Sequence, residues 1–300
     1  MSLRLPDPLW CSAELLHALQ DQGWALLSFG PEACLGDIEP LEEWLTALSG
    51  RIGFIVPQGA NNRVISRIAD QGGNYSSPST RGHLTNAGLA FHSDRCDLNI
   101  LLYVRSAQSG GDVRIIDYEA AAAELGASDP RLLELMFENF PLDLREERLF
   151  EEPKWHCRPL LWRTAAGEIR GHYIRRFIMD SQRHSGAPRL TPLQLEALDA
   201  FDSVLARRAG ETAFMPGPGD LLVLDNYRVM HARSSFTDDD ASPRLALRTW
   251  VAPFASEPLP ASFQLLAGSC DGGVLRGGVG NDPDYLRRIG TQQSYLMERT

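Results

Sequence analysis

The chain has 300 residues, 43% hydrophobic and 23% charged, with a formal net charge of -10. These globular values exclude a disordered chain as the default and suffice for one large domain. The acidic balance speaks against a nucleic-acid partner, and no stretch approaches the roughly 18 apolar residues of a membrane helix. Five cysteines at wide spacings, with no Cys-x-x-Cys, argue against a disulfide framework and for a soluble protein in a reducing cytoplasm.

In chain order, residues 12–22 read as a helix, with Ser12 as its cap and Leu15, Leu16 and Leu19 on one face. Trp24 to Phe29 reads as a strand, and Ile38 to Leu48 as a second helix. Residues 55–90 are irregular, and Gly72 to Pro78 has the composition of a functional loop or lid. Leu98 to Val104 is a buried strand, followed by a turn at Gln108 to Gly111 and a strand at Val113 to Ile116. Residues 117–125 form an Ala-rich helix, and Asp129-Pro130 opens another through about Glu138. The clearest helix runs from the Thr191 cap to about Arg208. Residues 216–220 make a turn, Leu221 to Leu224 a buried strand, and Arg244 to Val251 another, while residues 267–300 show no obvious core. Many short strands with flanking helices predict a mainly β fold of sandwich or jelly-roll type.

The segment that carries chemistry is Phe91-His92-Ser93-Asp94. Alternation along a strand would put His92 and Asp94 on one face, where an imidazole and a carboxylate can converge. They would supply two of the three ligands in the two-histidine, one-carboxylate set that leaves open positions on iron(II). Taken alone, His-x-Asp is weak, and a surface His–Asp pair is the commoner reading. A third ligand has to come from elsewhere. His231 follows the apolar strand at 221–224, where a structural histidine is the bland alternative. Arg244 lies thirteen residues beyond it. Buried, it could fork onto the distal carboxylate of a dicarboxylate; exposed, it is an ordinary ion-pair residue.

Several further segments occur in a telling order: Ser109-Gly110-Gly111, Tyr173 to Ile178, Ser181 to Leu190, Pro218-Gly219-Asp220, Asp225 to Arg233, and Arg244 to Trp250. With Phe91 to Asp94, they make the chain resemble the TauD/TfdA (taurine dioxygenase-like) superfamily near its clavaminate synthase-like branch, over roughly residues 12 to 253. The resemblance implies a double-stranded β-helix (jelly roll) with iron(II) on His92, Asp94 and His231. It implies 2-oxoglutarate as co-substrate with dioxygen, its C5 carboxylate on Arg244. Arg248 falls where relatives reach the substrate or assist the co-substrate. The implied reaction is hydroxylation or another oxidation of an aliphatic C–H in a small amino-acid-like or carboxylate natural-product precursor, with succinate and carbon dioxide released. Asp94, being a carboxylate, disfavours halogenation.

One departure stands out. Relatives place Thr or Ser two residues after the Gly-Gly pair, and here Val113 cannot donate a hydrogen bond; Arg114 or a water is left to compensate. Asn74 and Tyr75 in the candidate lid, and Arg175 in a strand-like segment, are further candidates for substrate contact. Cys96 is read as a small core residue beside the motif. A small molecule is the expected partner, with neither nucleic acid nor membrane, and a homo-oligomer stays open. Two other readings remain at this stage: a cupin-like metal-dependent hydrolase or isomerase, and an inactive jelly-roll binding protein.

Overall fold

The computed structural model describes residues 5–59, 63–73, 82–144 and 154–279. Two antiparallel sheets dominate. The larger runs in the order Trp24–Ser28, Asp220–Asp225, Leu98–Arg105, Leu245–Pro253, Gly53–Val56, and Ile65–Ile68 also pairs with Leu245–Pro253. The smaller runs Ala213–Phe214, Val113–Asp117, Val229–Arg233, Leu89–His92.

The strands are near-continuous apolar runs because both faces of the large sheet are covered. Leu222, Leu224, Leu101 and Ala246 point inward and share a cluster with Val113, Ile115 and Val229 of the small sheet. Leu221, Val223, Leu102 and Leu247 point outward onto Pro8–Gln22 and Glu39–Ile52. Leu15, Leu45 and Leu48 of those helices are wholly buried, each worth roughly 1.5–3 kcal/mol. The outer face of the small sheet presents Ile116 and Met230 to a second layer built from Tyr118–Ser128, Pro130–Met136, Arg175–Ser181 and Pro192–Arg208. This is a jelly roll of two facing sheets with helices outside, and the sheets do not close into a barrel.

Local signals explain the boundaries. Thr191 accepts from Gln194 N at 3.1 Å while Gln194 Oε1 accepts from Thr191 N at 3.0 Å, a reciprocal cap for the longest helix. Gly219 has φ +88°, and a Cβ there would lie 2.0 Å from the Gly30 carbonyl, so only glycine permits that crossing.

Four expectations are corrected. The first helix begins at Pro8, so Ser12 lies inside it rather than at its start. The second helix continues to Ile52. Arg175 and Arg176 open the helix Arg175–Ser181 rather than lying in a strand. The stretch from 267 to 279 is not without a core: Arg276 and Val279 are buried. Among the described residues, no helix is long and apolar enough to cross a membrane.

Candidate metal centre

The inner face of the two sheets carries the polar residues that the hydrophobic pattern cannot explain. Met230 faces the helices, so its neighbour His231 faces inward with Val229 and Arg233. His92 is the cross-strand partner of His231, and the two rings lie 4.4 Å apart between centroids. The strand Leu89–His92 ends there. Asp94 therefore does not reach the site by strand alternation, as its spacing suggested. It sits in the following loop, where Ser93 N donates to Tyr173 O at 3.0 Å and Asp94 N donates to Asn226 Oδ1 at 3.3 Å. Tyr118 Oη lies 2.6 Å from Ser93 Oγ and accepts from Tyr173 N at 2.7 Å, bracing the residue between the two candidate ligands.

The protonation states suit metal binding. His231 is held neutral, its pKa lowered to about 3 by burial and then by His92 and Arg248 against the pull of Asp94. Burial alone would raise Asp94, but Arg248, His231, His92 and His83 together outweigh it and hold the carboxyl at about 2. His92 Nδ1 lies 2.8 Å from Ala90 O; donation to that carbonyl leaves Nε2 as the free lone pair.

The donors are adjacent but not closed. His231 Nε2 is 4.0 Å from Asp94 Oδ2. Metal–donor bonds of about 2.1 Å put neighbouring donors roughly 3 Å apart, so this gap is about 1 Å too wide. Among the described residues, no group of three His, Cys, Asp or Glu side chains is already arranged to hold a metal ion. The reason is visible at Asp94, whose Oδ2 accepts from Asn99 Nδ2 at 2.8 Å and Arg248 Nη1 at 3.2 Å. In kind the set fits iron(II): two imidazoles and one ionised carboxylate.

Arg248 lies with Ala246 on the inner face of Leu245–Pro253, and Arg244, one residue before that strand, stacks on Tyr103 of the same inter-sheet cluster. Arg244 is 4% exposed, stacked 5.1 Å over Phe236 and 5.5 Å over Tyr103, and its buried Nη1 has no hydrogen-bond partner. It is therefore not a surface ion-pair residue. A buried guanidinium nitrogen without an acceptor fits a carboxylate from outside the chain. Gly111, at φ +88°, packs beside its Nε and leaves the approach clear of a side chain. Val113 is part of the inter-sheet core, and Arg114 turns outward onto Asp112 at 3.0 Å, so Arg114 does not replace the missing hydroxyl.

Arg248 is 6% exposed and donates from Nε to Gln58 Oε1 at 2.7 Å as well as to Asp94. Arg175 points elsewhere: it pairs with Asp199 at 2.7 Å and Asp202 at 3.3 Å on the helix Pro192–Arg208. Asn74 and Tyr75 lie outside the described residues. Cys96 is buried beside Val56, Trp250 and Ala252, in the core role expected of it. Sequence reasoning passed over Asn99, Asn226 and Gln58. Asn99 carried a signal, a lone amide inside the apolar run Leu98 to Val104. A cavity of about 430 Å³ lies apart, lined among others by Leu19, Leu98, Trp162, Asp225 and Tyr227, and none of His92, Asp94, His231 or Arg244 borders it. Donor chemistry, not cavity size, marks the inner face as the site.

The family model described as taurine catabolism dioxygenase TauD, TfdA family matches residues 15–250. The chain belongs to that family. A curated relative of this TauD/TfdA-family chain is FR-33289 synthase of Streptomyces rubellomurinus (strain ATCC 31215), 29% identical over 222 residues. The match covers 71% of this chain but 64% of that relative, less than two thirds of its length. Among solved structures, an asparagine oxygenase in complex with Fe(II), 2S,3S-3-hydroxyasparagine and succinate is similar at TM-score 0.62 and 16% identity, covering 92% of this chain and 86% of that one. The non-heme iron oxygenase OrfP, in complex with Fe and alpha-ketoglutaric acid, gives TM-score 0.57 at 17% identity, with 82% and 80% covered. At such identities the structural likeness shows a shared fold and no more.

Proposed function

We propose that this chain is an iron(II)- and 2-oxoglutarate-dependent dioxygenase that oxidises an aliphatic C–H of a small amino-acid-like or carboxylate precursor. The observation that carries the reading is the pairing of His92, Asp94 and His231 on one side of the interior with a buried, unpartnered Arg244 nitrogen on the same interior face. With iron and 2-oxoglutarate bound, the site supplies dioxygen-driven C–H oxidation coupled to the release of succinate and carbon dioxide.

The chain's own residues do the placing. His92, Asp94 and His231 are the residues that would hold the metal. Arg244 pairs with the distal carboxylate, and Phe236 and Tyr103 shield that pair from water and strengthen it. Arg248 offers a second cation beside Asp94, suited to an anionic group on the substrate. The solved relatives hold (3S)-hydroxy-L-Arg in OrfP and 3-hydroxyasparagine in the asparagine oxygenase, and FR-33289 synthase is named for a product it makes. The two bound amino acids support a free amino acid or a similarly small carboxylate as substrate. A cupin-like hydrolase has no use for the buried Arg244, and an inactive relic has no reason to keep a neutral His231 facing an ionised Asp94.

The test is succinate formation. Purified chain with iron(II), 2-oxoglutarate and air should convert 2-oxoglutarate to succinate slowly alone and faster with a substrate drawn from a panel of amino acids and small carboxylates. No succinate under any of these conditions contradicts the reading.

A further inference from the structure

The family match ends at residue 250, yet the chain returns to the metal loop more than twenty residues later. Arg276 is 3% exposed. Its Nε donates to both Asp97 oxygens at 3.1 and 3.2 Å, its Nη2 donates to Oδ1, and its Nη1 donates to Asp271 O at 2.8 Å. Two residues on, Gly278 N donates to Arg95 O at 2.7 Å. Arg95 and Asp97 are the first and third residues after Asp94, so residues 276–278 grip the loop on the far side of the candidate ligand.

The same segment reaches the site by a second route. Val279 N donates to Pro57 O at 2.7 Å, and Gln58 forms a parallel bridge with Val279. Gln58 holds Arg248 from two sides: Oε1 accepts from Arg248 Nε at 2.7 Å, and Nε2 donates to Arg248 O at 2.8 Å. Arg248 Nη1 then donates to Asp94 Oδ2 at 3.2 Å. The approach is a built one. Gly277 and Gly278 have φ of +80° and +76°, and a Cβ on Gly278 would lie 2.6 Å from Pro57 O.

We propose that Arg276 is a positioning residue for Asp94, and that residues 276–279 are a working part of the metal site although they lie outside the family match. The inference rests on the metal-centre reading above. The loop around Asp94 has no strand pairing of its own after His92, and its backbone hydrogen bonds go to Tyr173, Asn226, Gly278 and within the loop. Arg276 adds the directional fork that fixes where the loop stands, and hence where the carboxylate points. Partners that orient a ligand from behind are each worth roughly 10–100-fold in metal affinity.

A purely stabilising ion pair makes a different prediction. Replacing both members of a buried pair by apolar side chains of similar volume often leaves stability unchanged, whereas removing one member is costly. The experiment uses the full chain and cobalt(II) as a redox-inert probe, titrated calorimetrically well below each variant's Tm. Arg276→Met and the double variant Asp97→Leu/Arg276→Met are compared with wild type, and Asp94→Ala is the control. Both test variants should bind cobalt(II) about tenfold more weakly, the double variant doing so whether or not its Tm returns to the wild-type value. Arg276→Lys, which keeps the charge, should recover part of the loss. Wild-type affinity in either Arg276→Met variant overturns the positioning role. Failure of wild type to bind cobalt(II), or binding that Asp94→Ala leaves intact, strikes the metal-centre reading instead.

Discussion

Asp94→Ala is expected to lower metal affinity by more than about a hundredfold and to abolish substrate oxidation at ordinary iron(II) concentrations. The magnitude follows from the donor set. Groups that only orient a ligand cost roughly 10–100-fold when removed, and a direct carboxylate donor must exceed them. The electrostatics point the same way. Asp94 is the ionised group facing His231, and Arg248 pairs with it, so without the carboxylate the site keeps two imidazoles and a cation that has lost this partner. The variant also breaks the buried Asp94–Arg248 pair, which can cost about 3 kcal/mol of stability. Asp94→Asn controls for that loss, since its carboxamide oxygen can still accept from Asn99 and Arg248. Iron titration and Tm measured together separate the two effects. Full activity in a folded Asp94→Ala variant removes Asp94 from the ligand set.

Arg244→Ala is expected to raise the KM for 2-oxoglutarate by roughly 100-fold while reducing kcat less. A charge-assisted hydrogen bond is worth about 1.5–3 kcal/mol, and the guanidinium is placed to make a forked pair between two aromatic rings. The effect should fall on KM because the C5 carboxylate is remote from the reacting atoms and is held alike before and during the reaction. Arg244→Lys should recover only part of the affinity, as an ammonium lacks the planar fork. An unchanged KM would move this role to Arg248.

How much could be read from the residues alone varied with the physics at each place. The strands at 98–105 and 220–225 were legible as buried apolar runs, and the wrapping of both faces by helices and the opposite sheet is why they show no alternation. Thr191 was legible as a cap because its partner Gln194 stands three residues on. His92, His231 and Arg244 were legible as a set only through the resemblance, since their meeting depends on pairings between strands far apart in sequence. Arg175 was misread because the segment 173–178 mixes a short bridge at Ile174 with the start of a helix, and its apolar residues suit either. The placement of Asp94 was expected from strand geometry and is achieved by a loop instead, through Asn226, Asn99 and Arg248. The C-terminal grip on that loop left no pattern to read: it consists of one arginine, two glycines and backbone hydrogen bonds in a polar, Gly-rich stretch.

The most direct measurement is the visible spectrum of the purified chain without oxygen, recorded after iron(II) alone, after 2-oxoglutarate alone, and after both. A weak metal-to-ligand charge-transfer band that requires both additions, and is lost in His231→Ala, is the predicted result: it reports 2-oxoglutarate chelating a metal held by these residues. A folded, iron-loaded protein that shows no band with saturating 2-oxoglutarate would contradict it, with Val113 as the first residue to question and the cupin-like chemistry as the reading to pursue.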